Sequence, residues 1–227
     1  MRIGTWNLAG RWSDEHRSLM LDADCDVWLL TEVNERTSLP GYALHMTQAR
    51  MAPRRRWAAI ASRLPMSSSP DPHPASARAR IGATTYVSSI LPWRACGSLF
   101  PWVGERHAER TANAVDDLLL GLRPARSLVW GGDWNHALTG KEYAGSQGGR
   151  RAILTALEEL RLEVPTTQLP HRIDGLLSID HIAVPRGWST SATRLPAERD
   201  GKRLSDHDAY VVELSAGTGL PPQALGV

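Results

Sequence analysis

Seven polar side chains fall at or beside the ends of short apolar runs. Asn7 follows the core of the run 3–8, Glu32 sits late in 27–33, Asp133 and Asn135 follow 127–130, Asp180 interrupts 179–184, and Asp206-His207 precedes 210–214. If those runs are strands, a rigid sheet can hold these carboxylates, amides and imidazole around one cleft. Hard oxygen donors of this kind suit a cation such as Mg²⁺, which keeps several waters and binds through one or two carboxylates together with substrate phosphate. Taken singly, each Asp or Asn is equally well a turn former. Glu32 is less easily explained that way: Leu29-Leu30-Thr31-Glu32-Val33 puts a carboxylate inside an apolar run, where an unpaired charge is costly, so it requires a partner. Magnesium is the expected ion, with manganese as a substitute. Zinc fits less well, because the histidines lack ligand-like spacing and the two cysteines, Cys25 and Cys96, stand alone.

The elements that must position these groups are visible as pattern. The five runs above, with 57–61 and 81–87, have strand length and are bounded by Gly, Pro, Asp or Ser. Several do not alternate strictly, as expected when a sheet is covered on more of its surface. Helical stretches are expected at 13–24, 106–120 and 150–160; in the last, Ile153, Leu154, Leu157 and Leu160 gather on one side of a 3.6-residue helix. These helices should cover sheets, giving a sheet-rich α/β fold. Long non-helical connections, and no G-x-G-x-x-G after the first run, argue against a repeated Rossmann unit, and Gly148-Gly149 reads as a turn. Residues 62–79, with Ser67-Ser68-Ser69-Pro70 and Pro72-His73-Pro74, read as a surface loop. Residues 1–214 read as a single domain and 215–227 as a frayed tail.

Composition bounds the function classes. The 227 residues fit one large α/β domain, and 42% apolar residues with nine Trp supply its core, so global disorder is excluded. Lys and Arg number 26 against 24 Asp and Glu, a formal charge of +2 that permits an anionic substrate without demanding one. Two cysteines cannot form a disulfide scaffold. The opening residues carry no basic flank with an apolar stretch behind it, and no window holds 18 apolar residues, which points to a soluble, cytoplasmic protein, a monomer by default.

The motifs Thr5-Trp6-Asn7-Leu8, Leu30-Thr31-Glu32, Gly131-Gly132-Asp133-Trp134-Asn135, Ser178-Ile179-Asp180-His181 and Leu204-Ser205-Asp206-His207 together resemble the endonuclease/exonuclease/phosphatase superfamily. The ordered set spans nearly the whole chain, from Thr5 to His207. The resemblance implies a four-layer α/β sandwich, two packed, mainly antiparallel sheets flanked by helices, that hydrolyses phosphoesters with a divalent metal. It implies Glu32 as a direct metal ligand, with Asn7 and Asp206 close to the metal or its waters. Asp133 and Asn135 then position the attacking water and the phosphate. His207 is the site histidine, general base or phosphate-binding cation, and Asp180 orients it; the base is shared between Asp133 and His207 at this point. Tyr86 falls near a position held by tyrosine in abasic-site endonucleases and by histidine in the secreted DNase branch, although an ordinary strand tyrosine explains it as well. Ala9 stands where some abasic-site enzymes carry a polar residue, and the connections between motifs are short for that branch, so the resemblance favours hydrolysis over any one repair specificity.

Two basic stretches, Arg50, Arg54, Arg55 and Arg56 around Trp57, and Arg106, His107 and Arg110, are candidates for a phosphate-tracking groove, with Trp93 or Trp102 as stacking surfaces if exposed. The leading expectation is a DNA nuclease. RNA or small phosphoesters are the alternatives, the latter through a small-molecule, phospholipid or inositol phosphatase. A catalytically silent nucleic-acid-binding relative is disfavoured by the completeness of the polar set.

Overall fold

In a computed structural model of the chain the described residues are 1–97, 100–123 and 125–215, and the expected tail, from 216 onward, lies outside them. The elements run β1 (Arg2–Asn7), α1 (Asp14–Asp22), β2 (Val27–Asn34), β3 (Ala43–Met46), β4 (Arg50–Ala52), β5 (Arg55–Ser62), β6 (Met66–His73), β7 (Ser76–Ile81) and β8 (Thr84–Ile90). They continue with α2 (His107–Leu122), β9 (Leu128–Asp133), α3 (Gln147–Glu159), β10 (Leu162–Glu163), a 3-10 turn (Pro165–Gln168), β11 (Asp180–Pro185), β12 (Thr190–Leu195), β13 (Glu198–Arg199), β14 (Lys202–Arg203) and β15 (Ala209–Leu214).

One sheet has the order β12-β15-β1-β2-β5-β3 with β4 also on β5, the other β10-β11-β9-β8-β7-β6, and β13-β14 form a small ribbon. Each large sheet contains one parallel pair, β1–β2 and β8–β9. Each pair is joined by a crossover through a helix, α1 or α2, as a parallel connection requires. Between the sheets Ile3, Val27, Leu29, Ile60 and Val212 meet Ala79, Val129, Ile182 and Val184. Outside, Leu19 and Met20 of α1 pack on Trp6, Trp28 and Leu30, while Val115 and Leu118 of α2 with Ile153 and Leu157 of α3 pack on Leu128 and Trp130. The result is a four-layer sandwich. Alternation along β9, with Leu128 and Trp130 outward and Val129 inward, is the period-two pattern of a strand buried on both faces. Each such fully buried side chain contributes about 1.5–3 kcal/mol.

Three expectations are corrected. Residues 62–79 are not a loop: β6 and β7 form a hairpin paired Met66↔Ile81 to Ser69↔Arg78, with its irregularity between Ser69 and His73, where Pro70 and Pro72 stand. β6 is the last strand of its sheet, and an edge strand or bulge tolerates proline. The run 81–87 is split by a turn at Gly82, which has φ 57°, so Ile81 ends β7 and Thr84 opens β8. Gly148-Gly149 is not a turn but the first turn of α3, where Ser146 Oγ accepts a hydrogen bond from Gly149 N–H at 3.1 Å.

Buried histidines make the fold acid-sensitive. Burial depresses His73 and His136 to about 4, below the value near 6.5 of an unfolded chain. Between those values the unfolded chain binds more protons, so stability falls as pH drops, by up to about 1.4 kcal/mol per pH unit for each group. His73 stacks on Trp102 and its Nδ1 accepts from Ala75 N–H at 3.1 Å. Thermal melts should show Tm falling from about pH 6.5 to about pH 4.5, and His73→Asn, which keeps an acceptor for Ala75 but takes up no proton, should flatten part of that slope. An unchanged slope in the variant contradicts this account.

Candidate active site

Strand direction brings the polar residues to one end of the sandwich. β1 and β2 run parallel, so Asn7 at the end of β1 and Glu32 late in β2 emerge together. Asp133 closes β9, and antiparallel β11 sets Asp180 directly opposite it. β15 is antiparallel to β1, so its entry, with His207 two residues ahead of Ala209, arrives at the same place.

A hydrogen-bonded line then crosses from one sheet to the other. Asn7 Nδ2 donates to Glu32 Oε1 at 3.2 Å and to Asp133 Oδ2 at 2.9 Å, while Asn7 Oδ1 accepts from Ala9 N–H at 2.8 Å, which fixes which way the amide faces. His207 Nδ1 lies 2.7 Å from Asp180 Oδ2, and its Nε2 lies 4.0 Å from Asp133 Oδ2. Ser205 Oγ donates to the Asn7 carbonyl oxygen at 2.6 Å and accepts from His207 N–H at 3.1 Å, tying the His207 turn to β1. Asn135 N–H donates to Asp133 Oδ1 at 3.0 Å, and its Nδ2 donates to the Leu91 carbonyl oxygen at 3.1 Å.

The backbone is contorted where it delivers these groups. Ala9, Glu32 and Asn135 have φ of 50°, 47° and 52°, a left-handed conformation that a non-glycine residue adopts at some expense. At Glu32 the reason is visible. Leu30 and Val33 face the same outer core although strict alternation would put them on opposite faces, so Glu32 interrupts the phase of β2. Gly132, with φ 123°, stands so close to β8 that a Cβ would come within 2.2 Å of the Ser89 carbonyl oxygen, which explains the second glycine of Gly131-Gly132-Asp133.

Charge in this dry setting is strongly perturbed. Burial raises the carboxyls of Asp133 and Asp180, with His207 opposing both. Burial works against the imidazolium of His207, but Asp180 and Asp133 outweigh it and lift His207 to about 10. His207 is therefore a cation at neutral pH. Burial also raises Glu32, against hydrogen bonding from Asn7 and the charge of Arg55, whose Nη1 lies 2.7 Å from Glu32 Oε2. Arg55 is thus the partner that the apolar setting of Glu32 demands.

The group fits a divalent cation. Carboxylate oxygens of Asp133 and Asp180 and a ring nitrogen of His207 all lie within 4.8 Å of one another, and with His207 held as a cation the carboxylates are the groups able to take the ion. Asp180 Oδ1 is buried without a hydrogen-bond partner among the described residues. With Glu32 and Asp206, four carboxylates face two cations, His207 and Arg55, leaving an excess of negative charge and hard oxygen donors.

Of the expected site residues, Asn7, Glu32, Asp133, Asn135, Asp180 and His207 come together. Asp206 is exposed at the rim; its backbone oxygen accepts from Arg172 Nε, and its charge contributes to raising His207. Tyr86 does not join them. It is buried between the sheets with its hydroxyl 3.6 Å from Met1 Sδ, and it pairs with Val129, four residues below the Ile90↔Asp133 pair, or about 13 Å along the strand. The basic stretches are partly engaged elsewhere, while Arg54 and Arg106 are exposed and Trp93 is partly buried. Arg50 and Arg56 are paired with Glu35, Arg110 is buried and bonds the Glu105 carbonyl oxygen, His107 bonds Ser146 and the Pro92 carbonyl oxygen, and Trp102 is buried against Trp57. Sequence reasoning missed Tyr143, whose hydroxyl donates to the Leu177 carbonyl oxygen at 2.9 Å and whose pKa is pushed up by burial and by Asp180; nothing in its local sequence signals this.

The family model described as the Endonuclease/Exonuclease/phosphatase family matches residues 4–207. The chain belongs to that family. Among solved structures it resembles an AP endonuclease from Archaeoglobus fulgidus, at 16% identity and TM-score 0.68 over 95% of this chain and 100% of that one. It resembles equally a 3′-5′ exonuclease from Neisseria meningitidis, at 18% identity and TM-score 0.66 over 94% and 99%. The endonuclease domain of TRAS1, a telomere-specific non-LTR retrotransposon, gives 18% identity and TM-score 0.65 over 94% and 97%. Identities this low establish the fold alone. Comparison with curated proteins finds no match. Family membership together with the buried carboxylate–imidazole cluster makes this endonuclease/exonuclease/phosphatase member a metal-dependent phosphoesterase.

Two substitutions separate the site from its surroundings. Asp180→Asn should lower kcat by about 10²–10⁴-fold, because it removes the charge that orients and protonates His207. Tyr86→Phe should leave both kcat and KM at wild-type values; a loss comparable to that of Asp180→Asn would return Tyr86 to the site.

Proposed function

We propose that the protein is a nuclease that hydrolyses DNA phosphodiesters with Mg²⁺, for which Mn²⁺ substitutes. The observation that carries this reading is the line Glu32–Asn7–Asp133 facing His207–Asp180 at one end of both sheets. Glu32, Asn7 and Asp133, with Asp206 at the rim, would hold the ion, which when bound supplies Lewis-acid charge to the phosphoryl oxygens. With Asp180 accepting from Nδ1, His207 turns Nε2–H outward as a cationic donor to a phosphate oxygen. A cation is a poor base, so the proton of the attacking water goes to a carboxylate oxygen of Asp133, which lies across from His207 Nε2 at 4.0 Å. Asn135 positions that water and the phosphate. Each of these residues belongs to one chain, so the reading needs no second copy.

DNA is favoured by the company the fold keeps: an AP endonuclease, and the Neisseria enzyme described as a 3′-5′ exonuclease and, bound to a product DNA hairpin, as a 3′ phosphatase. A small-phosphoester phosphatase is the second reading, favoured by the burial of Trp102, which takes one candidate stacking surface out of reach of a long polyanion. No helix among the described residues is long and apolar enough to cross a membrane.

The test is hydrolysis by wild type and His207→Ala of plasmid, single-stranded and abasic-site duplex DNA, RNA and simple phosphoesters, with Mg²⁺, Mn²⁺ or excess chelator. Cleavage of DNA that needs the metal and is lost in the variant is the expected result. DNA inactivity with robust turnover of a simple phosphoester would replace the nuclease by the phosphatase.

A further inference from the structure

Glu32 is the carboxylate of this site that already has a full cationic partner from another strand. Its Oε2 lies 2.7 Å from Arg55 Nη1 and its Oε1 accepts from Asn7, so both oxygens are engaged. Arg55 opens β5, where it pairs with Asn34, two residues beyond Glu32 on β2. The approach is built into the backbone. Gly10 has φ 70°, and a Cβ there would sit 2.2 Å from Arg55 Nε and 2.4 Å from Nη2, so the guanidinium occupies the space where a side chain would begin. Gly10 N–H donates to the Glu32 carbonyl oxygen at 2.8 Å, and Asn34 Nδ2 donates to the Gly10 carbonyl oxygen at 2.9 Å. The turn after β1, the phase break of β2 and the Arg55 side chain are thereby locked as one unit.

We propose that Arg55 is a resident counter-cation for Glu32 that competes with the divalent ion and sets its affinity. A guanidinium stays charged at every working pH and binds a carboxylate oxygen directionally. A divalent ion drawn to Glu32 meets both the loss of an ionic hydrogen bond and the repulsion of a fixed positive charge a few ångströms away. Without metal, Arg55 keeps a half-buried carboxylate paired and aimed into the site; the side chains of Arg55 and Glu32 are 35% and 22% exposed. The cation that stabilises the empty site therefore weakens its loading. The inference rests on the metal-dependent reading above and deepens it.

Calorimetric titration of Mn²⁺ into wild type, Arg55→Met and Arg55→Lys tests it, with thermal melts to show that each variant is folded. Arg55→Met, which keeps the apolar stem and removes the charge, should bind Mn²⁺ at least about tenfold more tightly, and Arg55→Lys should stay within about threefold of wild type. Equal or weaker binding by Arg55→Met, with wild type binding Mn²⁺, overturns the proposal and leaves Arg55 as a mere orienter of Glu32. Absence of Mn²⁺ binding in all three, wild type included, overturns the metal-dependent reading itself and the inference with it.

Discussion

The burial of Asp133 and Asp180 is the constraint on which the rest of the structure depends. Two carboxylates side by side and almost fully buried repel each other and lose hydration, and each is tolerable only if cations and donors surround it. Their partners come from the opposite sheet: Asn7 from β1 and His207 from the turn into β15. The sheets must therefore pack in one register, and the apolar layer of Ile3, Leu29, Val129 and Ile182 fixes it. Stability and chemistry are coupled at this seam, because the apolar layer that joins the two sheets also sets the distance between acid and imidazole.

The same constraint explains the local departures from regular backbone. A strand that simply alternated would put Glu32 among Trp28, Leu30 and the helix above them. The left-handed turn at Glu32 delivers it instead toward Asn7 and Arg55, and similar conformations at Ala9 and Asn135 place an N–H on Asn7 and another on Asp133. Strain collected at three points within one site is what a preorganised polar cluster requires, since the donors must already point inward before an anion arrives.

Much of this was legible in the sequence, and for a physical reason. Asn7, Glu32, Asp133, Asn135, Asp180 and His207 sit at strand ends, and a strand end is marked locally, by an apolar run stopping at polar or glycine residues. What could not be read was lateral. Tyr86 looked like a site residue by its place in the chain, but its distance from the site depends on the register of β8 on β9, which no local pattern carries. The β6–β7 hairpin was hidden because prolines signal a loop except at a sheet edge, and which strand is the edge is a property of the whole sheet. Short strands such as β4, β10 and β13 are set by pairing partners rather than by their own residues. By sequence Glu32 needs a partner and Arg55 belongs to a basic stretch; only the pairing of β2 with β5 shows that each answers the other.

The central claim is that this seam of buried carboxylates is completed by a divalent ion. The direct measurement is the shift of Tm on adding Mg²⁺ or Mn²⁺ to wild type and to Asp133→Asn. At about 100 times Kd the wild type should gain about 5–10 °C, and the variant, folded but lacking the carboxylate at the centre of the line, should gain almost nothing. An equal gain in the variant, or none in the wild type, would contradict the account.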